Sequence, residues 1–479
     1  MLLKRLVRSA TVVAVVAWAA LGAAPAQAQT PAPVQTGTDS YFEFLMARRL
    51  EGAGDFAGAQ AALERAVTAA PRSAELRAQI ASFYLRRSQP DDAEKAARAA
   101  LEIDDANIEA HRALGLVFAG YADAPGNRTT NPQIAAYLAD AVTHLERAAE
   151  GAPAGDLVLF FTLGRLYLRT EQPQKAVDSL ARVVSLNPGS VQARLSLAQA
   201  YAASDNIASA IETLAIIVDD EPRVAAALGQ YQEQAGQFRD AASSYTKALE
   251  VQPMSREIKA RRIAALYSAR DLPGAASAAA DAQRQHPEDA RFPRLRARAL
   301  FEGGSRGDAI TVMEAAVRAF PRDSATVYQL ADMYVQAGRS NDAEKSLRQV
   351  LANEPGNANA LNYLGYLLAR RGERLDEAID LVRRALAAEP GNGAFLDSLG
   401  WAYFRKGDLG EAEKYLGQAA GLMPRNAEVQ DHLGDVLARR GRLPDAVEAW
   451  TRALDGDDGD VDRAEIQKKI NDARTKLRR

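Results

Sequence analysis

The chain has 479 residues, more than the roughly 250–300 that one compact core rarely exceeds, so it is either several domains or a stack of repeats. It has no cysteine, which excludes disulfides, thiolate metal sites and thiol nucleophiles, and its net charge of −3 argues against a general nucleic-acid binder. Aromatics make up only 6% of residues, Ala and Leu dominate, and Pro and Gly recur at regular spacings, which suits an all-helical array.

Residues 1–28 read as a secretory leader. Lys4, Arg5 and Arg8 precede the short apolar run Ala10–Leu21, and Ala26-Gln27-Ala28 forms a cleavage site. The run is well short of the roughly 20 residues that a spanning helix needs. The leader is therefore expected to be cleaved rather than kept as an anchor. No later stretch is long and apolar enough to span, so the mature chain is expected to have no transmembrane segment. Residues 29–39, with Pro, Thr and Gln, are expected to be a flexible lead-in.

Repeats then run almost to the end. Prolines fall at Pro153, Pro188, Pro222, Pro253, Pro287, Pro321, Pro355, Pro390 and Pro424, at spacings of 31 to 35 residues. Earlier units end at Pro71 and Asp105, and a later one ends at Asp458, giving about twelve. Small residues recur in the first half of each unit (Gly164, Ala198, Gly229, Ala331, Gly365, Gly400, Gly434). Others recur early in the second half (Ala176, Ala210, Ala241, Ala343, Ala412). Such residues let two helices cross closely, and Pro breaks the second helix. Two departures break the period. Gly115 to Ala141 is 14 residues longer than Gly164 to Ala176, which predicts a loop over 121–132, with Asn131 as an N-cap and Pro132 opening the next helix. The short spacing before Pro253 predicts that Pro222 starts the next helix directly, with an irregular bend there that divides the repeats into 40–221 and 222–460. After the acidic linker Asp455–Asp460, residues 461–479 read as a capping helix, with Val461, Ile466, Ile470, Ala473 and Leu477 turned inward and a basic outer face.

Little points to catalysis. His111, His144, His286 and His432 fall in no metal-ligand spacing. Glu302-Gly303-Gly304-Ser305-Arg306-Gly307 lacks the Lys-Ser/Thr of a phosphate loop and reads as a turn between helices. The expectation is a non-enzymatic chain with no cofactor and no bound metal.

The block Leu361-Asn-Tyr-Leu364-Gly365, with Ala378, Ala385 and Pro390, starts again at Leu396-Asp-Ser-Leu399-Gly400. The repeat continues with Tyr403, Ala412, Leu416, Ala419 and Pro424. This resembles the tetratricopeptide repeat. The resemblance implies an all-α fold, a right-handed superhelix of about twelve helix-turn-helix units with a C-terminal cap. It also implies a concave groove lined by the first helix of each unit. Groove positions carried over by counting from the small residue are Tyr328, Asp332, Asn359, Asn362, Tyr366, Arg370, Asp397, Trp401, Phe404 and Arg405. Packing between neighbouring repeats is the other role open to Tyr366 and Trp401. Arg291, Arg294 and Arg298 lie on one helix face and could hold an anionic peptide, unless they form a solvated charged face.

The last repeats also resemble those of bacterial periplasmic and outer-membrane tetratricopeptide adaptors, which recruit a carboxyl-terminal processing protease and cell-wall hydrolases. Those are lipoproteins, and no lipid-acceptor cysteine exists here. The resemblance implies a periplasmic scaffold that binds proteins or peptide segments, with at most a peripheral association with the envelope. Two other readings stay open. One is a component of an exopolysaccharide or protein secretion apparatus docking on an outer-membrane channel; the other is an enzyme with a site in the 121–132 loop.

Overall fold

The computed structural model describes residues 36–124, 132–456 and 461–478. The leader, Asn131 and most of the acidic linker lie outside these residues. The described residues form twenty-five α-helices, a single-turn 3-10 helix and no strand. Two compact units divide between Glu171 and Gln172. The first holds α1 (Thr36–Gly52), α2 (Phe56–Ala69), α3 (Ala74–Arg86), α4 (Pro90–Leu101), α5 (Ile108–Ala122), α6 (Pro132–Gly151) and α7 (Leu157–Arg169). The second begins with α8 (Pro173–Leu186), α9 (Val191–Ala203), α10 (Ile207–Ala215), α11 (Ala225–Gln234), α12 (Phe238–Val251) and α13 (Arg256–Ser268). It continues with α14 (Leu272–Gln285), α15 (Arg291–Glu302), α16 (Arg306–Ala319), α17 (Ser324–Gln336), α18 (Ser340–Asn353) and α19 (Ala358–Arg371). It ends with α20 (Leu375–Ala388), α21 (Gly393–Lys406), α22 (Leu409–Leu422), α23 (Ala427–Arg439), α24 (Leu443–Asp455) and α25 (Arg463–Leu477). In chain order these are twelve helix pairs and a terminal helix.

The small residues sit where the helices of a pair cross. A Cβ built on Gly400 of α21 would lie 2.5 Å from Leu416 Cγ and 3.0 Å from the Leu416 backbone nitrogen of α22. Gly365 meets Val382 in the same way, and Gly434 meets the indole of Trp450. The facing alanines, Ala343, Ala378 and Ala412, are completely buried. From α15 onward the crossings share one apolar core running from Ala297 to Ala473, while those between α9 and α15 form separate smaller clusters.

The prolines work through the residue ahead of them. Asn187 and Glu389 adopt φ −135° with ψ 76°, the extended geometry that a following proline enforces. Two residues beyond the proline a short polar side chain caps the next helix. Ser190, Ser255, Asp323, Asn357, Asn392 and Asn426 all accept from backbone N–H groups of the helix they precede. Stop and restart are thus written within three residues.

Several details differ from the sequence expectation. The helix of the first pair begins at Thr36, inside the expected lead-in, and Ser40 is buried. The loop of the third pair starts later than residue 121, because Tyr121 still belongs to α5. Its ring lies 5.3 Å from that of Tyr137, and its hydroxyl donates to Asp91 at 2.7 Å, which together extend the helix. Pro132 does open α6. At Pro222 the chain forms a 3-10 turn rather than starting the α-helix, which begins at Ala225; the helix before it stops early, at Ala215. The spacing placed a division here, whereas the compact units part at 171/172. In α25, Ile466, Ile470 and Ala473 are buried, but Leu477 is 48% exposed in the last turn. Its basic side is not wholly solvated either, as Lys469 shows below. Among the described residues no helix is long and apolar enough to cross a membrane.

Gly400→Ala should lower stability by about 1–3 kcal/mol, because the backbone of α22 has no room to retreat; urea unfolding followed by circular dichroism measures it. The turn between α3 and α4 places Ser88 at φ 57°, where several other pairs have a glycine such as Gly236, Gly338 or Gly407. Ser88→Gly should stabilise the protein by about 1 kcal/mol through relief of the left-handed strain, raising the urea midpoint in the same assay.

Candidate functional site

The first helices of four successive pairs line a cleft of about 610 Å³. Asp332 and Val335 come from α17, and Tyr363, Tyr366, Leu367 and Arg370 from α19. Trp401 comes from α21, and Glu428, Asp431, His432 and Asp435 from α23. Lys469 of α25 closes one end. The repeat explains the assembly: residues at equal positions in successive units fall side by side, so one face of each first helix contributes to one surface.

The aromatic floor is held from beneath. The Trp401 ring stacks on His432 at 4.1 Å between centroids and on Phe404 at 5.0 Å. His432 is 7% exposed, and its Nδ1 lies 2.9 Å from an Asp397 carboxylate oxygen, also buried. Arg439 covers the other side of Phe404, 4.7 Å from its centroid. The Tyr366 hydroxyl donates to Glu428 Oε1 at 2.5 Å, tying α19 to α23 across α21. Burial, together with the Glu428 carboxylate, pushes the Tyr366 phenol up. Lys469 places its ammonium 2.8 Å from Asp431 Oδ1 and 2.7 Å from Asp435 Oδ1. Burial opposes its charge, but the two carboxylates outweigh burial and raise its pKa.

Beside this cleft lies a smaller pocket of about 210 Å³ that shares Tyr363, Tyr366 and Glu428 with it. Asn362, Asp397 and Ser398 line it as well. A third cleft, of about 450 Å³, lies over α13 and α15 and contains Arg261, Arg291, Arg294 and Arg298. These guanidinium groups already have partners. Arg291 bonds Asp289 at 2.8 Å, Arg298 donates to the Tyr267 hydroxyl at 3.0 Å, and Arg261 lies 3.1 Å from Glu233. Arg294 has the loosest pairing, 3.8 Å from Asp323.

The structure brings Asn362, Tyr366, Arg370, Asp397 and Trp401 together around the two adjoining clefts, with Asp332 opposite. It leaves four expected residues aside. Tyr328 donates to Asn357 Oδ1 at 2.5 Å, Asn359 is exposed outside the cleft lining, and Phe404 is buried beneath Trp401. Arg405 turns back to the Arg370 carbonyl at 2.6 Å. Tyr366 and Trp401 line the cleft and pack between repeats at the same time. Glu428, Asp431 and Asp435 were missed, although they occupy the same repeat positions in the next unit; counting one repeat further finds them. Lys469 belongs to no repeat and left no such signal. Among the described residues no group of three or more His, Cys, Asp or Glu side chains is arranged to hold a metal.

A tetratricopeptide repeat model matches residues 226–290, 262–324, 328–393 and 398–461, and a second one matches 50–117 and 167–231. Together they cover more than half of the chain. The protein belongs to the tetratricopeptide repeat (TPR) family. Such repeats are generally protein-binding scaffolds rather than catalysts. The chain is similar to TPR repeat-containing protein PA4667 of Pseudomonas aeruginosa, at 31% identity over 141 residues, which is 29% of this chain and 24% of that protein. The match thus spans about a quarter of the relative's length. Among solved structures, yeast Tom70 is 13% identical, with 93% of this chain and 97% of that one covered, at a TM-score of 0.44. MamA of Desulfovibrio magneticus RS-1 is 22% identical over 35% of this chain and 93% of its own, with a TM-score of 0.30.

Burial alone would lower the His432 imidazole, but Asp397, Glu428 and Asp431 outweigh it, and the net displacement is upward. The stability contributed by this TPR contact is therefore complete below the ordinary imidazole value of about 6.5 and is lost as pH rises through the raised folded value. The Tm gap between the parent and His432→Gln should be widest near pH ~6 and narrow toward pH ~9. A gap that widens with pH would contradict the assignment.

Proposed function

We propose that this protein is a scaffold of the bacterial cell envelope that holds partner proteins through peptide segments laid along the α17–α23 cleft, and that one of its partners is a carboxyl-terminal processing protease or a cell-wall hydrolase. The observation that carries the proposal is the cleft itself. Two adjacent first helices, α19 and α21, present the half-buried rings of Tyr363, Tyr366 and Trp401, and charged groups from α17, α19 and α23 flank them on one surface. Aromatic and arginine side chains of this kind are the usual anchors of binding energy. The envelope location rests on the leader sequence of residues 1–28, and the class of partner rests on the resemblance of the last repeats to periplasmic TPR adaptors.

Trp401→Ala is a poor probe of binding, because the ring also packs on His432 and Phe404. Asp332 and Arg370 are exposed on the cleft wall and are better suited. Pull-down from an envelope extract with the parent chain should recover a protease or hydrolase, and Asp332→Lys with Arg370→Glu should reduce recovery about tenfold or more while helicity is retained. Undiminished recovery by the double variant would remove the cleft from the account, and recovery of an outer-membrane channel instead would favour a secretion apparatus. Fractionation of the producing cell should place the protein in the periplasm; a cytoplasmic pool alone would overturn the envelope assignment.

A further inference from the structure

The smaller pocket has a chemical bias of its own. Ser398 is only 5% exposed and lines the pocket. The Oδ1 atom of Asn362 is buried and has no partner among the described residues. Buried polar atoms are normally paired, so an orphan on this small pocket points to a group that the chain does not itself supply. Asn362 Oδ1 and the Ser398 hydroxyl can both accept a hydrogen bond. Asp397 and Glu428 also line it; each takes a donor, from His432 and from Tyr366, and each keeps further lone pairs. The pocket is thus rich in acceptors. The Tyr363 and Tyr366 rings on its sides can offer π faces to a cation.

The neighbouring cleft carries the same sign. Its lining holds Asp332, Glu428, Asp431 and Asp435 against Arg370 and Lys469. Lys469, lodged between Asp431 and Asp435, shows that this face accepts an alkylammonium group. A pocket of about 210 Å³ has room for one long side chain rather than a folded element.

We propose that the pocket receives the cationic side chain, arginine or lysine, of an extended peptide lying in the adjoining cleft, with Asn362 Oδ1, Ser398 Oγ and the Glu428 carboxylate accepting from its N–H groups. This rests on the cleft being a peptide groove and adds the chemistry of what enters it. The Arg-lined cleft over α13 and α15 carries no comparable inference, since its guanidinium groups already have partners within the chain.

The test uses the full chain and three acetylated, amidated peptides: Ala-Arg-Ala-Arg-Ala, its lysine counterpart, and its counterpart with citrulline, the uncharged isostere of arginine. Calorimetric titration is run in about 0.15 M salt, where distant surface charges are screened. At least one of the two cationic peptides should bind about tenfold or more tightly than the citrulline peptide. Ser398→Ala and Glu428→Gln should each reduce that preference several-fold. Ser398→Ala removes only one hydroxyl from the lining, so it keeps the test valid even if Glu428→Gln fails to fold. Asp380→Asn, on the exposed side of α20, should leave affinity unchanged. Equal affinity for the charged and citrulline peptides, no binding of any peptide, or an undiminished preference in Ser398→Ala would overturn the proposal. If the preference is absent while the Asp332/Arg370 double variant still loses its envelope partner, the peptide groove stands and this subsite alone falls.

Discussion

The fold depends on how closely two helix backbones can approach at each crossing. At Gly400 there is no room for a Cβ against Leu416, and at Gly434 the indole of Trp450 fills that space. The constraint is local, it repeats every 31 to 35 residues, and it sets the angle at which each first helix presents its outer face. A stack of this kind gains stability from neighbour to neighbour, so no central core is required and the chain can be long. The cleft is a consequence. Asp332, Tyr366, Trp401 and Asp435 occupy the same position in four successive units, and the crossings bring them onto one surface.

The residues proposed for recognition also serve stability. His432 is held by Asp397 and stacks under Trp401, so the rings that face the cleft are fixed from behind. Tyr366 reaches from α19 to Glu428 on α23 and spans an entire repeat. A rigid aromatic floor loses little conformational freedom on binding, which favours affinity without a large contact area. Lys469 adds a tie of a different kind. It anchors the terminal helix through Asp431 and Asp435 and sets the charge at one end of the cleft.

Much of the fold was legible in the sequence because its rules are short-ranged. Pro355-Gly356-Asn357 and Pro424-Arg425-Asn426 each encode a helix stop and a helix start within three residues, and Gly365 and Gly400 mark the crossings. The exceptions arose where contacts across longer separations decide the outcome. Tyr121 stays helical because Tyr137 and Asp91 hold it, and no local signal reports either contact. The site was legible in part. Counting repeat positions found Asn362, Tyr366, Arg370, Asp397 and Trp401. It could not separate Phe404, which the Trp401 and Arg439 side chains cover, from residues that face the cleft. Nor could it find Lys469, whose place depends on how α25 packs on α23 and α24.

The central claim is that partners bind along the face formed by α17, α19, α21 and α23. Photo-cross-linking in the producing cell tests it most directly, with benzoylphenylalanine placed at Arg370 in the cleft or at Asp380 on α20. The account predicts a discrete cross-linked partner from position 370 and none from position 380. A partner captured from position 380 with none from position 370 would contradict it.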